Sequence, residues 1–164
     1  MSFLVWLSRT APAVWGRESD SIWAYPTILF LHTLGLAILV GFTTVIDFRV
    51  LGFSPRLPLA PLRRFFRFIW AGFWINAASG TMLLVMAPVK LGNPAFIVKM
   101  TCIALGVVNM LWLKREVFDV DSDTGPTGLA TVSSLGRILA ASSLFLWAVA
   151  ITAGRLMAYV GAQR

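Results

Sequence analysis

Residues 28–46 have the sequence ILFLHTLGLAILVGFTTVI, and this stretch decides the fold of the chain. Its one strongly polar member is His32, and its length is close to the roughly 20 apolar residues that a helix needs to cross about 30 Å of hydrocarbon. Three similar runs follow, so the sequence predicts membrane-spanning helices at about 27–47, 67–88, 95–115 and 135–160. We therefore expect an all-α integral membrane protein: one domain, residues 1–164, folded as a four-helix antiparallel bundle.

The composition of the chain also favours a lipid environment. Apolar residues make up 58% of it and charged residues 13%, whereas an ordinary soluble domain is about a quarter charged. Twelve Phe and seven Trp are more bulk than so small a soluble domain could bury. The net charge of +7 falls mainly between the apolar runs. No basic face with a recognition element is present, so the bilayer is the expected partner and nucleic acid is not.

The first 24 residues are predicted to lie along the membrane surface. They contain Trp6, Trp15 and Trp23, and tryptophan favours the headgroup layer. The segment begins without a basic region before its short apolar stretch, and Arg9 and Arg17 follow soon after. This pattern differs from that of a cleavable signal peptide. An interfacial helix at about 1–24 is therefore expected.

The arginines near the ends of the spans predict the orientation. The connection between the first two spans is the most basic part of the chain: it holds Arg49, Arg56, Arg63, Arg64 and Arg67. Because loops rich in lysine and arginine stay in the cytoplasm, both termini are expected outside it.

Three ionisable side chains are expected at one height in the bundle. Counting inward from the predicted span ends puts His32, Lys99 and Arg155 in the same outer layer. Charged groups inside a span are costly and are functional candidates by default, so this layer is the predicted binding site for an anionic ligand or a cofactor. Other interpretations remain open. The two cations can reach the headgroups or pair with Glu18 or Asp20, and the imidazole can act as a packing residue.

Other polar residues are expected to have structural roles. Asn76 and Asn109 lie nearer the middle of the membrane, where interhelical hydrogen bonds explain them. Asp47 and Arg49 are expected together at the cytoplasmic end of the first span. There the two side chains would form ion pairs with Arg115 or Glu116. The sequence has one histidine, one cysteine and no common catalytic motif, so an enzyme that works alone is not expected.

Four short motifs resemble an uncharacterised family of bacterial four-helix membrane proteins. They are RES…YP at 17–26, HTLG at 32–35, DFRVLG at 47–52 and NPAFIVK at 93–99. The resemblance covers nearly the whole chain and implies a multi-pass protein of the bacterial inner membrane. Members of that family often have a histidine at the end of the third span, where this chain has Lys114.

The first and third spans are also distantly similar to two better-known groups, the copper-resistance D-type membrane proteins and the haem-associated protoporphyrinogen oxidases. In the second group a first-span histidine and a later lysine matter for haem and activity. The resemblance maps these roles onto His32 and Lys99. Met100, or a partner protein, would then supply a second axial ligand.

Three functions are compatible with the sequence. The first is a protein that binds b-type haem or another redox cofactor or metal, with His32 as ligand and Lys99, Arg155 and Met100 around it, for electron transfer or porphyrin or copper handling. The second is a non-catalytic subunit or scaffold that forms a homo-oligomer or binds a membrane or periplasmic partner. The third is a small transporter or channel.

Overall fold

The computed structural model describes residues 23–86, 93–119 and 132–160, together with residues 6, 9 and 14. Its elements are α1 Ala24–Leu51, a 3₁₀ helix Ala60–Arg64, α2 Phe65–Met86, α3 Pro94–Lys114, a π-helical turn Arg115–Asp119 and α4 Ser134–Val160. The four α-helices are long and apolar enough to cross a membrane. The predicted all-α four-helix bundle is confirmed. The interfacial segment predicted at 1–24 lies almost entirely outside the described residues.

Local signals set the ends of the helices. α1 continues past Asp47 and stops at Gly52, whose φ of 96° is the left-handed conformation that glycine adopts at low cost. The Gly52 N–H then donates to the carbonyl of Arg49 at 3.2 Å. α3 begins after Asn93, whose side-chain oxygen accepts from the Ala95 N–H at 2.9 Å. The predicted first span therefore ended one turn too early, because Asp47 was taken as its boundary.

The helices pack in pairs. α1 packs on α2 and α3 on α4, each pair antiparallel, and α1 packs on α4, whereas α2 and α3 pack far less closely on each other within the described ranges. α1 and α3 begin at one end of the bundle, near His32, and we call this the His32 end. The opposite end, where α1 and α3 finish, is called the Asp47 end.

The apolar core lies mainly in the half of the bundle nearer the Asp47 end. Its members come from the second half of α1, the 3₁₀ helix and the start of α2, the end of α3 with the π-helical turn, and α4 from its start to its middle: Leu39, Ile46, Val50, Leu62, Phe66, Ile69, Met110, Leu113, Val117, Leu139, Ala140 and Trp147. In the most apolar window of each span only 17% to 33% of the residues are buried. Most of the apolar surface is therefore available to lipid, and the His32 end is the more thinly packed half.

Asn109 joins α3 to α4 within this core. Its Nδ2 donates to the carbonyl of Leu139 at 2.9 Å, and the Ser142 hydroxyl donates to its Oδ1 at 3.1 Å. Since interhelical hydrogen bonds in membranes average about 0.6 kcal/mol each, Asn109→Leu is expected to lower the free energy of unfolding by about 1 kcal/mol. Unfolding in mixed micelles measures this difference. Ser142→Ala is the control and should cost about half as much; an Asn109→Leu protein as stable as the wild type would contradict the assignment.

Candidate functional site

His32 is held against α2 through one of its ring nitrogens. Nδ1 lies 3.1 Å from the carbonyl oxygen of Asn76 and 3.2 Å from Oγ of Ser79. Because a carbonyl can only accept, Nδ1 carries the proton and donates to it. The other ring nitrogen, Nε2, then keeps its lone pair and is the acceptor or ligand atom.

α2 has a glycine, Gly80, where the His32 ring packs against it. A Cβ at Gly80 would lie 2.9 Å from Cε1 and 3.3 Å from Nδ1 of His32, so a larger residue would push the imidazole away. In return, Nδ2 of Asn76 donates to the backbone carbonyl of His32 at 2.8 Å. These contacts run in both directions between α1 and α2 and fix the height and the rotation of the ring. Asn76 therefore forms the interhelical hydrogen bond that was predicted for it, and its partner is the backbone carbonyl of His32.

Lys99 of α3 approaches the same region from the other helix pair. Its side chain is half-buried, and its Cδ, Cε and Nζ pass 3.6 to 3.7 Å from the position of a Cβ built on Gly154 of α4. The positive charge of Lys99 acts on the imidazole of His32. α1, α2, α3 and α4 thus all contribute to one layer, with an imidazole and an ammonium group within electrostatic range.

The other two predicted site residues are not enclosed with His32. Arg155 is exposed on α4, whereas its neighbour Gly154 faces Lys99. Met100 is next to Lys99 in sequence but its side chain is 47% exposed. The structure therefore brings together His32 and Lys99 and leaves Arg155 and Met100 on the outer surface of the bundle.

At the Asp47 end the structure corrects one expectation. Asp47 was predicted at the membrane surface in an ion pair, but its side chain is completely buried and its carboxylate oxygens have no hydrogen-bond partner among the described residues. Glu116 instead accepts a hydrogen bond from Ser133 at 2.8 Å, and Arg115 is exposed. The Arg49 guanidinium donates to the carbonyl of Leu57. The error has a physical reason: α1 continues beyond Asp47, and α4 covers that face.

Across the described ranges there is no group of three or more His, Cys, Asp or Glu side chains that could hold a metal ion. Cys102 is a half-buried free thiol on α3. No family model, curated protein or solved structure matches this chain.

Proposed function

We propose that this protein binds a redox cofactor, b-type haem or a copper ion, through Nε2 of His32, and that it serves electron transfer or porphyrin or copper handling in a membrane. The observation that carries the proposal is the hydrogen bond from Nδ1 to the Asn76 carbonyl. Histidine ligands in metal sites almost always donate their second ring N–H to a carbonyl, a carboxylate or water, which fixes the tautomer and makes the ligating nitrogen more basic. His32 has this arrangement within an apolar helix.

Lys99 supports an anionic ligand at the same place. Its ammonium group acts on the imidazole from α3. A positive charge inside a span attracts anionic groups, and a haem propionate near His32 would be such a group. Lys99 would bind that carboxylate, and His32 would hold the metal.

The proposed approach for a cofactor is the α2–α3 side of the bundle. The core is concentrated toward the Asp47 end, and α2 and α3 pack far less closely than the other neighbouring helices over the described residues. A planar cofactor that enters between α2 and α3 would approach His32 without breaking the α1–α2 contact. The chain has a single histidine, so a second axial position would be filled by another kind of ligand or by another chain. Met100 stays a prediction for that role and would have to turn inward from its exposed position.

The experiment is an absorption spectrum with metal analysis on protein purified from its native membrane in a mild detergent. We expect a Soret band that shifts on reduction, or bound copper, at close to one equivalent per chain. Colourless protein that is folded and takes up neither haem nor copper on titration would contradict the proposal.

A second candidate function is a subunit that assembles with other membrane helices, and one residue favours it. Gly41 lies in the interior of α1, is exposed, and has nothing within 4 Å of a Cβ built on it. Glycine in a helix interior costs about 1 kcal/mol relative to alanine, and the packing of this chain gives no reason for it. Ala37, one turn earlier, is also exposed. Together they form the small-xxx-small pattern through which membrane helices approach one another.

Gly41→Ile is expected to weaken self-association without unfolding the protein. The bulky side chain would project into lipid in a monomer but would separate two helices that meet at Gly41. Native mass measurement in detergent would show a shift from oligomer to monomer. Ala104→Ile, at an exposed small residue of α3, is the matched control and should leave the oligomer intact. If the wild type is already a monomer, or if Gly41→Ile has the same mass as the wild type, this candidate is wrong.

A further inference from the structure

Asp47 lies inside the bundle, far from the site proposed around His32. It is on α1, just over one turn before the helix ends, and its side chain is 0% exposed. Thr43, one turn earlier on the same face, is also buried and donates its hydroxyl to the Leu39 carbonyl at 2.7 Å. The two residues form a polar strip on the surface of α1 that packs against α4.

The α4 side of this contact carries a further polar group. The Ser143 hydroxyl is fully buried and faces the Asp47 carboxylate, but no hydrogen bond of normal geometry joins them. Within the described residues, the carboxylate and the hydroxyl are therefore two unsatisfied groups in one buried contact.

The charged side chains around this region are engaged or directed elsewhere. On α1, Arg49 binds the Leu57 carbonyl. At the end of α3, Lys114 lies 5.9 Å from the centre of the Phe66 ring, and Glu116 accepts from Ser133. The charged groups near the adjoining ends of α2, α3 and α4 are exposed, namely Arg67, Arg115 and Arg137. Within the described residues, none of these cations donates a hydrogen bond to the Asp47 carboxylate.

A carboxylate buried in this way is unfavourable unless a positive charge accompanies it. Removing an ion from water costs more than most interior contacts return, and in a membrane span no solvent compensates the loss. An apolar residue of the same size would stabilise this contact better than an unsatisfied acid. A small cation beside Asp47 would offset this cost.

We propose that Asp47, with the hydroxyls of Ser143 and Thr43, forms a buried binding site for a small, singly charged cation, either a proton or a sodium ion. Carboxylate and hydroxyl oxygens are hard ligands that suit both. A single acid matches a single positive charge, and the described residues contain no group of three or more His, Cys, Asp or Glu side chains of the kind that holds a divalent ion.

Infrared spectroscopy of the protein in lipid nanodiscs at neutral pH tests for the proton. A protonated Asp47 is expected to give a carboxylic-acid carbonyl band that Asp47→Asn removes. Ser143→Ala should shift the band, because it deletes a hydroxyl that faces the acid. Glu116→Gln is the matched control: it removes an acid at the same end of the bundle that already has a partner, and it should leave the band unchanged.

Thermal unfolding tests for sodium. Sodium chloride is varied against choline chloride at constant ionic strength, and a cation that binds the folded state raises the midpoint by mass action. For a sodium site, the wild type and Glu116→Gln should gain several degrees with sodium, whereas Asp47→Asn should show no dependence. If Asp47→Asn does not fold, the carbonyl bands of the wild type and of Ser143→Ala still test for the proton. The proposal would be overturned if the Asp47 carboxylate were ionised and the unfolding midpoint did not depend on sodium. The site would then hold only water.

Discussion

Alanine at Gly35 or at Gly72 is expected to force α1 away from α2 and to lower the midpoint of thermal unfolding by several degrees. A Cβ at Gly35 would lie 2.7 Å from the backbone nitrogen of Asn76 and 2.9 Å from the carbonyl oxygen of Gly72. A Cβ at Gly72 would lie 2.8 Å from both the carbonyl oxygen of Gly35 and the backbone nitrogen of Leu39. These atoms belong to helical backbone, so a whole helix must shift. Overpacking of this kind typically costs about 1–3 kcal/mol.

Gly41→Ala is the matched control for this prediction. Gly41 lies in the same helix but faces open space within the chain, so in a monomeric preparation alanine should add helix propensity without a clash. Circular dichroism during heating would compare the variants in one detergent. If Gly35→Ala were as stable as Gly41→Ala, the close approach of α1 and α2 would be wrong.

The same substitution is expected to affect the candidate site. Asn76 lies beside the glycine crossing and holds the His32 ring. When α1 and α2 separate, the hydrogen bond to Nδ1 lengthens and the orientation of the ring is lost. Gly35→Ala should therefore lower cofactor occupancy even though residue 35 does not touch the cofactor.

His32→Ala is expected to abolish bound cofactor and to destabilise the bundle. It removes the proposed ligand atom, and it also deletes the hydrogen bond to the Asn76 carbonyl and leaves a space beside Gly80. The loss of packing and of a partner for a buried acceptor is expected to cost about 1–3 kcal/mol. The absorption spectrum and metal content would report the first effect and thermal unfolding the second.

His32→Gln separates these two roles. Its amide N–H₂ can still donate to the Asn76 carbonyl, but its oxygen is a poor replacement for an imidazole nitrogen on haem iron. We expect near-normal stability with no Soret band. Thr33→Ala is the matched control, because Thr33 is the next residue, is exposed, and donates only to the Leu29 carbonyl within its own helix. A His32→Gln protein that keeps its full cofactor content would show that another group is the ligand.

The four spans were predictable because their signal is local. A segment in hydrocarbon must satisfy its backbone hydrogen bonds within itself, so a long apolar run has to be a helix. The start of α3 was equally local, since Asn is favoured as an N-cap and Pro at the first position of a helix. The end of α1 was missed by four residues because Asp47 resembles a boundary, whereas the left-handed turn at Gly52 is the actual one.

The candidate site was predictable only in part. Counting residues put His32 and Lys99 at one height, and the structure has them within electrostatic range. The same count included Arg155, which has the right height but lies on an exposed side of α4. The partners of His32, the Asn76 carbonyl and Ser79, belong to a helix more than 40 positions away in the chain. No sequence pattern in α1 indicates them.

The sequence by itself determined that this chain forms four helices suited to a membrane. Only the tertiary structure decided which way each helix is rotated, and so which polar groups meet. The physical reason is that both the lipid-facing and the packed sides of a membrane helix are apolar, so hydrophobic periodicity does not mark the buried face. The close approach at Gly35 and Gly72 and the cover that α4 provides over Asp47 set those rotations. They turn His32 toward α2 and bury a carboxylate that the sequence alone had placed at the surface.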